Sequence, residues 1–343
     1  AAQSRMLEYM RLIVDAGAAL NQGELVAAAE RLGTAMVLDK EMGGITVPFL
    51  PAREWTWLYT FARNRAIEVE HVRAMIRKRR LVPDSPPIEI ENWPWLYRFY
   101  TLGHFSIVRD DKALPLSGKG QKKPLELLKS LIAFGGRDVD QQRLTDTLWP
   151  EAEGDAAQHA FETTLYRLRK LFGEEAPLLF KDGRLSLDAR RCWVDCWAFE
   201  RLLSTVEERL RAPSIAGIEP LTTKLFGLYQ GPFLEQEGDV LSVLSLRESL
   251  RSQFLRTLEK CGRFYETEQA WPKVIDCHLQ ALEVEPLAES CYQKLMIAYH
   301  SLGRQAEGLV VYRRCEKTFH TLLGVSPSSK TESLRRTLEA VSS

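Results

Sequence analysis

Five polar residues, His159, Thr163, Tyr166, Arg167 and Lys170, fall within a short segment at spacings of mostly three or four. On a helix turning about 100 degrees per residue they gather opposite an apolar stripe of Phe161, Leu165, Leu168 and Phe172. The stripe needs a core. The opposite face offers hydroxyl, imidazole and cationic donors, the groups a helix uses on base edges in a DNA major groove. Directly after it comes LLFKDGRLSL, two short alternating runs around Asp182-Gly183, a strong two-residue hairpin signal. Lys181 and Arg184 flank that turn and are placed to meet a neighbouring minor groove or a phosphate backbone. Helix plus hairpin is the reading end of a winged helix. The same residues also fit a surface helix followed by an incidental hairpin.

A second basic stretch, SGKGQKKP, precedes a helix whose first turn holds Pro124. It lacks the spacing of a phosphate loop, and Lys122 is not followed by Ser or Thr. Helix N-terminal amides with Lys122 and Lys123 would suit one DNA phosphate, and a solvated basic loop explains them equally. Nothing points to catalysis. The six histidines are dispersed, no H-E-x-x-H or G-x-S-x-G occurs, and no cofactor or metal is expected. Cys192 and Cys196 form a C-x3-C without a second ligand pair nearby, so the six cysteines are expected to be reduced and mostly buried, as in a cytoplasmic protein.

The elements that must position these groups are legible in outline. A chain of 343 residues is long enough for two or three domains, with 45% hydrophobic and 27% charged residues. No apolar run is long enough to span a membrane, and AAQSRMLEYM has no signal-peptide pattern. It also lacks an initiator methionine, so a processed chain or a piece of a longer one is expected. Lys plus Arg equal Asp plus Glu at 46 each, so DNA binding would depend on local charge placement. Residues 1–80 show helical periodicity throughout. Residues 81–95, with four prolines, read as a partly extended linker. Then YRFYTLG, FSIVR and ALPLS alternate as strands of a small antiparallel sheet, and helices are expected near 122–135, 141–149 and 156–173. The hairpin closes this unit near Asp188.

From Val194 onward the chain reads as helical. A weak repeat pairs Tyr265 with Tyr299 and Ala281 with Cys315, an offset of 34. Gly262, Tyr265, Ala281 and Pro286 then take the spacing of a tetratricopeptide unit, whose stacked helix pairs leave a groove for a protein partner; a plain helical bundle is the other possibility.

In this order of elements the chain resembles the SARP family of bacterial transcriptional activators. The likeness runs from Tyr97 to Leu323, about two-thirds of the chain. It is carried by YTLGHFSIVRDDKALPLS, by LWP with LRKLFG downstream, by VDCWAFERLL and YQGPFL, and by EVEPLAESCYQKLMIAYHSLGRQAEGLVVYRRC and LLGVSP. The resemblance implies a mainly α fold: an OmpR-type winged helix at 96–190, with a small antiparallel sheet, three helices and a wing hairpin, between helical-repeat segments. A tetratricopeptide-like bacterial transcriptional activator domain would follow at 191–343. It implies promoter DNA and RNA polymerase as partners, with tandem copies on direct repeats. The acidic loop WPEAEGDAA would contact polymerase through Glu151, Glu153 and Asp155, although a solvated loop with Asp155 as helix cap explains the same residues.

Two features depart from the family pattern. The tryptophan expected shortly before Arg247 is missing from VLSVLSLRESL, and residues 95–188 hold 14 basic and 14 acidic side chains. Residues 1–80, notably FLPAREWTWLYTFARNRAIEVEHVRAMIRKRRLVP, resemble the helical-repeat region of MalT-like regulators. Those carry an upstream nucleotide-binding module, and no G-x4-GK[ST] loop occurs here, so any such module would precede residue 1. The rival reading is a helical-repeat scaffold or inducer-binding protein whose winged helix docks protein.

Overall fold

The computed structural model describes residues 2–45, 49–81, 87–88, 90–91, 93–116, 120–152, 154–212, 217–238 and 241–340. The chain folds as two compact units, residues 1–100 with 105–198, and residues 101–104 with 199–343.

The first unit opens with four helices, α1 (Ala2–Asn21), α2 (Leu25–Glu41), α3 (Ala52–Asn64) and α4 (Val69–Lys78). Next come β1 (Tyr97–Tyr100), β2 (Ser106–Arg109), β3 (Lys112–Ala113), α5 (Lys122–Ala133), β4 (Val139–Asp140), α6 (Gln141–Leu148) and α7 (Gly154–Phe172). The unit closes with β5 (Leu178–Lys181), β6 (Arg184–Leu187), β7 (Cys192–Val194) and the start of α8 (Asp195–Arg211). The second unit adds α9 (Ile218–Leu228), α10 (Leu241–Thr267), α11 (Trp271–Val284), α12 (Glu289–Ser301), α13 (Gln305–Leu323) and α14 (Ser329–Ala340). Helix predominates over two small sheets.

Four helices fill most of the described part of residues 1–80, as the periodicity required, with Tyr9, Ile13, Leu32, Met36, Tyr59 and Ile76 among the buried side chains. The expected linker is a different matter. Ile90, Trp93 and Trp95 are buried, Trp95 donates its indole N–H to the Ile90 carbonyl at 2.9 Å, and Trp193 donates to the Ile88 carbonyl at 2.8 Å. Two indole rings remove too much apolar surface from water for this stretch to behave as a free tether.

The first sheet runs in the order β3-β2-β1-β7, and β7 lies parallel to β1 with Tyr97 opposite Cys192. This adds a parallel strand to the small antiparallel sheet that was expected, beyond the hairpin expected to close the unit near Asp188. All three residues of β7 are buried, so the segment reads as an apolar run without the alternation that marks a half-exposed strand. The second sheet, in the order β4-β6-β5, joins the expected hairpin to a short third strand. At the hairpin turn Asp182 and Gly183 take φ of 50° and 70°, as a type I′ turn requires.

At the β2–β3 turn, Asp111 (φ 63°) meets three arginines: Arg73 and Arg77 of α4 and Arg98 of β1. Arg77 lies at 2.5 Å and Arg98 at 2.9 Å. Partial burial opposes ionisation there, but the hydrogen bond from Arg77 and the three positive charges outweigh it and hold the carboxyl below its ordinary value. The cluster ties α4 to the sheet.

In the second unit, successive helices from α10 to α14 pack against one another. Arg247 fixes the turn before α10, donating to the carbonyls of Phe233 (2.8 Å), Leu234 (2.5 Å) and Glu237 (3.1 Å). Gly231 and Gly103 touch closely enough that a Cβ on Gly231 would come within 2.9 Å of the Gly103 Cα, so neither accepts a side chain without a backbone shift. Phe254 lies tilted against Tyr229 (4.5 Å) and meets Phe199 edge-on (5.3 Å) at the core of this end. The cysteines are free, and all but the half-buried Cys291 are buried.

Two outcomes follow from this packing. Leu168 is fully buried, so Leu168→Ala should cost roughly 2–5 kcal/mol in chemical unfolding by leaving a cavity. Asp111→Asn should let the amides of α4 exchange about tenfold faster, the effect of losing roughly one charged hydrogen bond, while those of α7 keep their protection.

Candidate nucleic-acid interface

Helix α7 is positioned from two directions. Phe161, Leu165, Leu168 and Phe172 are all buried, and α7 packs on α5, whose Leu128, Leu131 and Ile132 are also buried. Phe161 meets Phe180 of the hairpin at 5.6 Å, and Phe172 meets Tyr97 and Phe99 of β1 edge-on at 5.1 and 5.9 Å. At the C-terminus the Phe172 carbonyl accepts two hydrogen bonds, from the Tyr97 hydroxyl (2.7 Å) and the Arg109 guanidinium (2.8 Å). A cation at that end also complements the helix dipole, and Gly173 (φ 82°) ends the helix in the left-handed region. Burial pushes the Tyr97 hydroxyl above its ordinary pKa, so it stays a donor.

With α7 held this way, His159, Tyr166, Arg167 and Lys170 are exposed and Thr163 is half-buried. Tyr166, at 67% exposure, is a large aromatic left in water. Arg167 and Lys170 line an open cleft of about 720 Å³ against Gly120, Gln121 and Pro124, at the N-terminus of α5. Cationic side chains beside helix N-terminal amides form a surface suited to an anionic group.

The hairpin is braced against the start of α6. The Gln141 N–H donates to the Gly183 carbonyl (2.8 Å), the Asp138 N–H donates to the Ser186 hydroxyl (2.7 Å), and Arg184 donates to the Asp138 carbonyl (3.1 Å). Asp140 caps α6 by accepting from the Gln142 N–H (2.7 Å). Lys181 and Arg184 are register partners at the tip, and both are exposed.

The two lysines in the first turn of α5 part company. Lys122 is exposed, whereas Lys123 pairs with Glu126 (2.9 Å), donates to the Leu148 carbonyl (3.1 Å) and lies over the Trp149 ring. Lys123 therefore closes the C-terminus of α6. Glu151 and Asp155 are exposed, Asp155 in the first turn of α7, and Glu153 lies outside the described residues. The sequence reading missed Tyr97 and Arg109, which set the position of α7. Gly173 marks the helix end, but nothing local shows that two strands reach its last carbonyl. Among the described residues no cluster of three or more His, Cys, Asp or Glu could hold a metal, and no helix is long and apolar enough to cross a membrane.

Residues 194–339 match the family described as the bacterial transcriptional activator domain. Regulatory protein AfsR of Streptomyces griseus is 26% identical over 246 residues, spanning 70% of this chain and 24% of that protein. Transcriptional regulator RedD of Streptomyces coelicolor is 27% identical over 210 residues, spanning 59% of this chain and 60% of its own length. The chain thus covers about a quarter of the AfsR relative. Among solved structures, Mycobacterium tuberculosis EmbR, in complex with a low-affinity phosphopeptide, aligns over 72% of this chain and 65% of its own, with TM-score 0.50 and 21% identity, a likeness of fold. Residues 194–339 thus carry the match to the bacterial transcriptional activator domain, and the chain is similar to regulators of the SARP type.

Proposed function

We propose that the chain binds promoter DNA in the cytoplasm and activates transcription, with α7 as a recognition helix in the major groove. The observation that carries this is the exposed face of α7, with Tyr166 in water and Arg167 and Lys170 lining a cleft at the α5 N-terminus. His159, Thr163, Tyr166 and Arg167 would read base edges. Lys170, Lys122 and the hairpin cations Lys181 and Arg184 would hold phosphates, with the hairpin acting as the wing of a winged helix. Lys123 has a smaller share in this reading, because its ammonium already serves Glu126 and Leu148.

In this reading the α10–α14 region is a tetratricopeptide-like domain that mediates self-association on direct repeats, and the loop with Glu151, Glu153 and Asp155 approaches RNA polymerase. The proposed domain boundaries keep a helical tail at 1–80 and move the start of the activator domain from 191 to the end of β7. The winged helix extends past 190, because β7 completes its sheet.

A second reading is favoured by the charge balance: 14 basic and 14 acidic residues between 95 and 188 offer little long-range attraction to DNA. The helix-and-hairpin surface would then dock a protein, with Tyr166 as an aromatic anchor.

Binding to random DNA fragments, followed by variant titration, separates the two. Tyr166→Ala or Arg167→Ala should cost about 1–3 kcal/mol on the selected site and relax preference at particular base pairs. Lys181→Ala with Arg184→Ala should weaken all DNA alike and flatten the salt dependence. Unchanged DNA retention in all of these variants would leave the protein-docking reading.

On DNA carrying two direct repeats, the full chain should bind cooperatively, at least tenfold tighter than on one repeat, because the second head binds almost intramolecularly. Gel-shift titration of both DNAs at one salt concentration measures this. Equal affinity would remove the role in assembly proposed for the helical domain.

A further inference from the structure

Within the first unit, an open cleft of about 490 Å³ lies where the end of α4, the entry to β1, the segment after α7 and the entry to β7 meet. That volume suits a small organic molecule. The charged side chains that line it are four arginines, Arg77, Arg80, Arg190 and Arg191, and two carboxylates, Asp110 and Glu175. Behind this lining, buried Asp188 takes up one positive charge, pairing with Arg190 at 3.0 Å and with Arg191 at 3.6 Å. Asp111, which holds Arg77, brings two further arginines, Arg73 and Arg98, for its one negative charge. Among the described residues this group keeps a surplus of two positive charges.

The walls are fixed by backbone bonds. The Tyr97 N–H donates to the Arg191 carbonyl, the Asp110 N–H to the Leu96 carbonyl and the Leu81 N–H to the Ile76 carbonyl, each at 3.1 Å. Arg80 and Glu175 then define what fits between them. Both are exposed, and among the described residues neither side chain has an ion-pair or hydrogen-bond partner; nor do they pair with each other. A guanidinium has five N–H donors, so Arg77 and Arg191 also retain donors beyond those their carboxylates accept. A phosphate monoester carries close to two negative charges near pH 7, and its oxygens match guanidinium forks. The two carboxylates narrow the choice further. They would repel a continuous polyanion such as a DNA strand, but they accept hydrogen bonds from hydroxyl groups. A ligand with one phosphate and several hydroxyls meets both kinds of wall.

We propose that this cleft binds a small sugar phosphate, the phosphate accepting from Arg80 and Arg191 and the hydroxyls donating to Glu175, with Ile76, Leu81 and Pro94 beside the carbon frame. The proposal is independent of whether α7 reads DNA. It gives the unit that carries α7 a small-molecule ligand of its own.

The test titrates the full chain with ribose 5-phosphate by isothermal calorimetry, against sodium chloride of equal ionic strength. Saturable binding is expected, together with a rise in Tm. Arg80→Gln alters an exposed, unpaired position, so it should fold like the parent and bind at least tenfold more weakly. Should it unfold, Arg191→Gln decides in its place with the same expected loss. Glu175→Gln should weaken ribose 5-phosphate and spare inorganic phosphate, and inorganic phosphate should bind the parent at least tenfold more weakly than the ester. Ribose alone should give no heat of binding. No saturable binding, undiminished affinity in folded Arg80→Gln, or equal binding of inorganic phosphate or ribose overturns the proposal. So does binding that survives Arg80→Gln and is lost in Lys170→Ala, which would put the phosphate at the N-terminus of α5.

Discussion

The Phe172 carbonyl is the point on which the interface depends. Two donors from two adjacent strands, the Tyr97 hydroxyl of β1 and the Arg109 guanidinium of β2, meet on this one acceptor. A helix held only by an apolar stripe can roll or slide by part of a turn at modest cost, since dispersion and burial are not directional. A carbonyl bonded from two sides cannot. Sliding α7 by one residue would break both bonds and take the Phe172 ring away from Tyr97 and Phe99. Once the phase is set at Phe172, a turn of about 100 degrees per residue decides which side chains leave the core, and Tyr166, Arg167 and Lys170 are among them. The chemistry of the outer face thus follows from a cap on the inner one.

The sheet that supplies those donors is itself gripped from the N-terminal side. Asp111 sits two residues beyond Arg109 and collects Arg73, Arg77 and Arg98, while Trp93, Trp95 and Trp193 are buried. A run of polar contacts therefore passes from α4 through Asp111 and the β2 strand to the end of α7. This explains why residues 1–80, which composition alone would set apart, belong to the same compact unit as the helix-and-hairpin element. Arginine suits this place because its planar fork can meet one carboxylate from several directions at once.

What the sequence disclosed, and what it hid, divides along physical lines. The stripe of α7, the helices of 1–80 and the Asp182-Gly183 turn were legible because each is set by local periodicity or by a φ value few residues accept. Strand β7 was not, since three buried residues give no alternation and its pairing with β1 spans most of the unit. Burial of Trp93 and Trp95 was masked by four surrounding prolines, whose usual association is an extended tether. For the site, the exposed positions of α7 came from phase alone. The separate fate of Lys122 and Lys123 did not, because it turns on a carbonyl at Leu148 that lies 25 residues away.

The charge balance of the proposed DNA-reading unit looks like a weakness, yet it bears on selectivity in the opposite sense. Non-specific DNA affinity comes almost wholly from neutralised phosphates, whereas discrimination comes from base edges and from shape. Here cations stand on α7 and at the hairpin tip, and the equal number of acidic side chains in residues 95–188 cancels the long-range field. Even at the tip, Arg184 is braced on the Asp138 carbonyl, which steadies its direction. A head of this kind gains little from random DNA, so competing genomic sites hold it weakly and the ratio of specific to non-specific binding is protected. The affinity given up in each head can be recovered by coupling two heads on adjacent repeats, where the gain arises only if both sites are present. On this reading the neutral surface and the need for a second copy are one property, because a strongly basic head would occupy single sites unaided and would not distinguish a repeat from a chance half.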